Sequence, residues 1–128
     1  MKKLFLLFSH SLTEEQKQDA QEALGVSEFV SLPSALQELF SNVPPELEEL
    51  DDYLRPIITW LNWSSDEDDY TLIQGDYGAT YLLVSHYKKL QYTTPVYATT
   101  ERMSVDTVQD DGSIVTTRVF KHKRFRKY

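Results

Sequence analysis

Residues 3–8 form an apolar run, Leu4-Phe5-Leu6-Leu7-Phe8, closed by Ser9-His10. An unbroken run of this length predicts a strand buried on both faces. A helix is expected next. Thr13-Glu14-Glu15-Gln16 is a capping box, and Gly25 stands where a C-cap belongs. Its apolar stripe (Leu12, Ala20, Ala23, Leu24) is thin, so most of that helix faces solvent. Glu28–Leu32 predicts a second strand. Pro33-Ser34 opens another helix that turns Leu36, Leu39, Phe40 and Val43 inward and ends at Pro44-Pro45.

From Pro45, apolar residues from Leu47 to Leu61 recur at helical spacing, with a break or kink expected at Pro56. Ser64–Asp69 reads as an acidic, solvated loop, Tyr70–Gln74 as a strand, Gly75–Gly78 as a tight turn and Ala79–Leu90 as a helix. Pro95–Ala98 predicts another strand. Met103–Val108 and Ser113–Phe120 predict a hairpin about Asp111-Gly112. Strands alternating with helices imply a mainly parallel sheet covered on both faces, with the terminal hairpin adding antiparallel strands at one edge. Residues 1–128 are read as a single α/β domain.

In such sheets ligands bind outside the carboxyl ends of the parallel strands. Three segments fall there: Ser9, His10, Ser11 and Thr13; Gln74, Gly75, Asp76, Tyr77, Gly78 and Thr80; and Thr99, Thr100, Glu101 and Arg102. The glycines let the backbone turn its N–H groups outward, and the following helix start favours an anion, so Gln74–Thr80 can cradle a phosphate. It can equally be a structural turn, since it is neither a Walker A nor a full dinucleotide fingerprint.

Charge narrows the ligand. The chain carries 13 basic and 20 acidic residues, net −7. Six of those basic residues lie in Arg118–Tyr128, which has no acid. An acidic body repels a long phosphate backbone such as duplex DNA, whereas a compact phosphorylated ligand can be held by the basic segment. There is no cysteine, hence no disulfide and no thiol nucleophile. The three histidines are not spaced as a metal pair, and Asp66–Asp69 lacks the pattern of a calcium loop, so neither a metal nor a cofactor is expected. No leader or membrane span is apparent, and a cytoplasmic protein is expected. His10 either contacts phosphate or caps a helix. His86 reads as a surface residue. His122, among Lys121, Lys123, Arg124 and Arg126, suits polar or proton-transfer contact. Trp60 and Trp63 suit a core or subunit contact more than adenine stacking.

Four blocks together carry a resemblance: Leu7-Phe8-Ser9-His10-x-Leu12-Thr13, Ile73 to Thr80, Tyr97 to Arg102, and Phe120-Lys121-His122-x-x-Phe125-Arg126-x-Tyr128. They resemble small Csx-type proteins of type III CRISPR systems. Those proteins are similar to the CRISPR-associated Rossmann fold (CARF) sensors, which dimerise and bind cyclic oligoadenylate across the two-fold axis. Some are ring nucleases that cleave cyclic tetra-adenylate and switch off the antiviral signal.

The resemblance implies a Rossmann-like (CARF-like) sheet, a homodimer, a cyclic oligoadenylate ligand and metal-independent cleavage by the ribose 2′-OH. On chemical grounds, Arg102 and Arg126 are then assigned to phosphate, His10 or His122 to the acid, and Asp76 to orienting or deprotonating the 2′-OH. Ser9, Thr13, Gln74, Tyr77, Thr80, Thr99 and Thr100 would contact ribose, base or phosphate, with Gly75 and Gly78 lending backbone N–H groups. Three other readings stay open: a sponge or sensor that binds the same ring uncut, an RNA- or protein-binding module using residues 118–128, and a flavodoxin-like domain that binds a mononucleotide.

Overall fold

The computed structural model describes residues 1–90 and 92–128. In chain order the elements are β1 (Lys2–Phe8), α1 (Glu14–Leu24), β2 (Val26–Ser31), α2 (Ser34–Ser41), α3 (Asp51–Ser64), β3 (Tyr70–Gln74), α4 (Tyr77–Lys89), β4 (Thr94–Val108) and β5 (Ile114–Lys127). They build one five-stranded sheet in the order β2-β1-β3-β4-β5. The first four strands are parallel, and β5 runs antiparallel to β4.

From Leu4 to Phe8 no polar residue interrupts β1, and this stretch is covered on both faces. Phe5 and Leu7 join Ile73, Phe40, Ile57 and Leu83 in a core beneath α2, α3 and α4. Leu4 joins Leu72, Val96, Phe125 and Ala20 in a second core beneath α1. The two crossovers leaving β1 and β3 thus lie on opposite faces, and the strand order reverses between β1 and β3.

Local chemistry sets the helix ends. Thr13 Oγ1 accepts from Gln16 N at 3.1 Å while Gln16 Oε1 accepts from Thr13 N at 2.9 Å, completing the capping box. Gly25 closes α1 at φ 69°, a left-handed conformation that suits a residue without Cβ.

The structure departs from the sequence reading in several places. Residues 45–50 are not helical, with a turn at Pro45-Glu46, and α3 starts at Asp51 and runs unbroken through Pro56. The strand expected at Pro95–Ala98 and the first hairpin strand are one 15-residue strand, and β5 continues to Lys127. Asp69 is buried, not solvated: Oδ1 accepts from Lys3 N at 2.9 Å and Oδ2 from Asp66 N at 2.8 Å, tying the acidic loop to the sheet. Trp60 packs edge-on against Phe5 with centroids 5.6 Å apart, whereas Trp63 is 87% exposed.

The turn after β3 is fixed by a close approach. A Cβ at Gly75 would lie 2.5 Å from the ring of Phe40, itself fully buried. Gly75→Ala should therefore cost about 1–3 kcal/mol by overpacking. Adding Phe40→Leu should recover part of that loss, as read by urea denaturation of both variants.

His86 is half-buried rather than at the surface, and its Nε2 is buried with no hydrogen-bond partner among the described residues. Burial first, and Lys89 second, hold its pKa below the ordinary 6.5. The unfolded chain therefore binds the proton more readily. This contribution to stability is present above the unfolded value and is lost as pH falls below it toward the lowered one. Between about pH 7.5 and about pH 5.5, His86→Gln should lose less melting temperature than the parent protein.

Candidate functional site

The carboxyl ends of β1, β3 and the parallel part of β4 share one rim, as expected. The crossovers divide it into separate clefts. The first, of about 590 Å3, lies on the α4 side and is lined by Gln74, Gly75, Tyr77 and Thr80. Tyr81, Lys88 and Tyr128 complete its wall. Gln74 is held by accepting from Ala98 N at 2.7 Å through Oε1. Tyr128 donates its hydroxyl to the Ile73 carbonyl, and burial, with Tyr97 beside it, raises its pKa, so the phenol stays a donor. Tyr97 and Tyr128 lie 4.8 Å apart by centroid. The Arg126 guanidinium stacks 5.5 Å over Tyr97 and donates to its hydroxyl at 2.8 Å. One wall thus holds aromatic faces, two of them (Tyr77 and Tyr81) strongly exposed, with Lys88 and Arg126 close by.

The turn itself is largely self-satisfied. Gly75 N donates to Thr80 Oγ1 at 3.1 Å, and Asp76 caps α4 by accepting from Ala79 N at 3.0 Å through Oδ2. The first-turn N–H groups of Tyr77 and Gly78 have no intrahelical acceptor and remain the donors available to a ligand. Asp76 and Gly78 open toward a different recess, beside Pro44 and Leu50. The cap thus favours the structural-turn reading of Gly75 and Asp76, and the phosphate cradle narrows to two donors.

Ser9 and His10 line a second cleft of about 660 Å3, nearer β2. His10 rests edge-on against Phe8 at 5.4 Å, and Ser9 Oγ shares a hydrogen bond with Ser41 Oγ at 3.1 Å. Ser11, Ser31, Ser34 and Lys17 also line it. The sequence reading overlooked the hydroxyls of β2 and α2, as it did Tyr81, Lys88 and Tyr128. Tyr128 was visible in the C-terminal block. The others become legible only once the crossovers assign them a face.

Thr13, Thr100 and His122 meet elsewhere, in a recess of about 320 Å3 between α1 and β5. His122 Nε2 lies 2.8 Å from Asp19 Oδ2, and only 5% of the His122 side chain is exposed. Its neighbour is therefore a carboxylate, not the cations adjacent in sequence, and it faces away from Asp76 and Arg126. Thr99 is spent on the ladder, donating Oγ1 to the Arg124 carbonyl at 3.0 Å. Arg102 lies farther along β4, over its own hairpin's Phe120 at 5.4 Å. Of the sequence candidates, the structure gathers Gln74, Gly75, Tyr77 and Thr80 with Arg126 close by, and it separates His10, His122 and Arg102 from them. Among the described residues no group of three His, Asp or Glu is placed to hold a metal, and no helix is long and apolar enough to cross a membrane.

Comparison with known proteins gives one relative, the uncharacterized protein MJ1673 of Methanocaldococcus jannaschii. It is 50% identical over 128 residues, covering 100% of this chain and 98% of the relative. No solved structure matches the chain. The family described as the uncharacterized protein MJ1673 family matches residues 2–126, and the chain belongs to that family.

Proposed function

We propose that the chain binds a cyclic oligoadenylate, cyclic tetra-adenylate first among them, as a homodimer with a CARF-like Rossmann arrangement, and that it opens the ring to end type III CRISPR signalling. The observation that carries this reading is the α4-side cleft. Exposed Tyr77 and Tyr81 offer faces on which adenines stack, and Lys88 and Arg126 offer charge to phosphates. A small anionic ligand with several bases fits that combination better than a duplex does.

Cleavage on this reading follows the chemistry of RNA. The ribose 2′-oxygen bonds to phosphorus, its proton leaves to a base, the bond to the 5′-oxygen breaks, and that oxygen takes up a proton. The products carry a 2′,3′-cyclic phosphate and a 5′-hydroxyl. The protein's part is to hold the three atoms in line and to neutralise the phosphoryl oxygens. Arg126 and the N–H groups of Tyr77 and Gly78 suit the second task. Asp76, whose Oδ1 makes no hydrogen bond among the described residues, suits the first where the ring extends past Tyr81, over the start of α4, into the recess beside Pro44. A sponge that holds the ring uncut is the second reading, favoured by the engagement of the other Asp76 oxygen in the α4 cap.

Incubation with cyclic tri-, tetra- and hexa-adenylate in EDTA should yield linear products ending in 2′,3′-cyclic phosphate. An unchanged ring, bound but intact, selects the sponge. Tyr81→Ala should weaken ring affinity about 5- to 100-fold, the size of one stacked base. Asp76→Asn keeps the cap, because asparagine caps as well as aspartate. It should leave melting temperature and affinity nearly unchanged while turnover falls on the order of 100-fold. Unchanged turnover would confine Asp76 to capping.

A further inference from the structure

Beyond the rim, β4 and β5 continue as a bare two-stranded arm. Every residue from Thr100 to Lys121 is exposed. A lone two-stranded ribbon is marginal in water, and an unpaired edge strand invites another chain. The lower half of the β5 edge is defended by Lys121, Lys123 and Arg124 and by a bulge at Lys123, where Thr99 and Thr100 pair with Arg124 and His122. The upper half, Ile114–Phe120, carries one charge, Arg118, and no bulge. On one face of the arm, Val115 and Val119 join Met103 and Val105 in an exposed apolar stripe.

We infer that this upper edge pairs with the same edge of a second copy, antiparallel and centred on Thr117. The inference rests on the dimeric part of the proposed function and gives that dimer its surface. A two-fold axis through Thr117 sets Ile114 opposite Phe120 of the second copy, Val115 opposite Val119, and Thr116 opposite Arg118. Apolar residues meet apolar residues, and no like charges face each other. Farther out, the acidic tip, where Asp110 and Asp111 turn the chain back into β4, lies at the end of the paired edge nearest the basic foot, Lys121 and Lys123, of the second copy. The edge is therefore complementary in charge to itself, as an isologous contact requires.

Neighbouring registers lose this match. Centring on Arg118 sets two arginines face to face, and centring on Thr116 sets Arg118 against Ile114 and Phe120 against Gly112. In the chosen register the two Arg126 positions stand about 60 Å apart at about 3.4 Å per residue, so the pairing joins two separate rims through their arms.

The chain has no cysteine, so a single introduced thiol reports this register directly. Thr117→Cys should form a disulfide-linked dimer under mild oxidation, because residue 117 faces itself. Ser113→Cys should link at least tenfold more slowly, since its own copy lies roughly 27 Å away at about 3.4 Å per residue. Both sites are exposed, so neither change threatens the fold. Light scattering of the parent protein at tens of micromolar should give twice the 14.9 kDa of one chain. A dimer that Thr117→Cys fails to link, or links no faster than Ser113→Cys, overturns the arm pairing and leaves ring binding standing. A monomer overturns the pairing and the proposed homodimer together. Efficient linking in a protein that ignores cyclic oligoadenylates supports the pairing and removes the proposed ligand alone.

Discussion

Leu4 and Phe5 are adjacent in the chain and point into different cores, and the architecture depends on that alternation. β1 pairs with β2 on one side and β3 on the other, and its two rows of apolar side chains are the floor on which α1 and the α2–α4 layer separately rest. A one-residue slip in its register would exchange the two sets of contacts, so the pattern of the strand specifies its partners as well as its burial. The reversal of strand order beside β1, and with it the rim, follows from where the two crossovers must go.

The parts of the fold legible in the sequence are those where burial or capping leaves little choice. β1 announces itself as an unbroken apolar run from Leu4 to Phe8, and α1 by its capping box and terminal glycine. The arm was less legible because a ribbon exposed on both faces imposes no alternation. Thr99-Thr100-Glu101-Arg102 reads as a polar connection yet is strand, held only by its ladder to β5. The start of α3 was misplaced because Leu47 and Leu50 keep helical spacing through a turn closed by Leu47 N donating to the Pro44 carbonyl at 3.4 Å.

The rim itself was foreseeable, but its partition was not. Strand ends can be read from pattern, whereas the face each side chain takes depends on the crossovers. His122 shows the limit. Its sequence neighbours are cations, but its partner is Asp19, more than a hundred residues earlier, which only the packing of α1 on β5 brings within hydrogen-bond distance. The same packing makes the foot of the arm part of the body, so the free portion begins where that anchor ends.

The placement of the two tryptophans has an optical consequence. Trp60 and Trp63 share the last turns of α3, but Trp60 is half-buried against Phe5 and Trp63 stands in solvent. Emission from the native protein is therefore a composite of a blue-shifted and a red-shifted fluorophore. Unfolding should change mainly the first, and a soluble collisional quencher should darken mainly the second. Neither indole lines the clefts described above. Intrinsic tryptophan fluorescence thus reports on the β1–α3 core and is poorly placed to sense a ligand at the rim, where the nearby fluorophores are tyrosines.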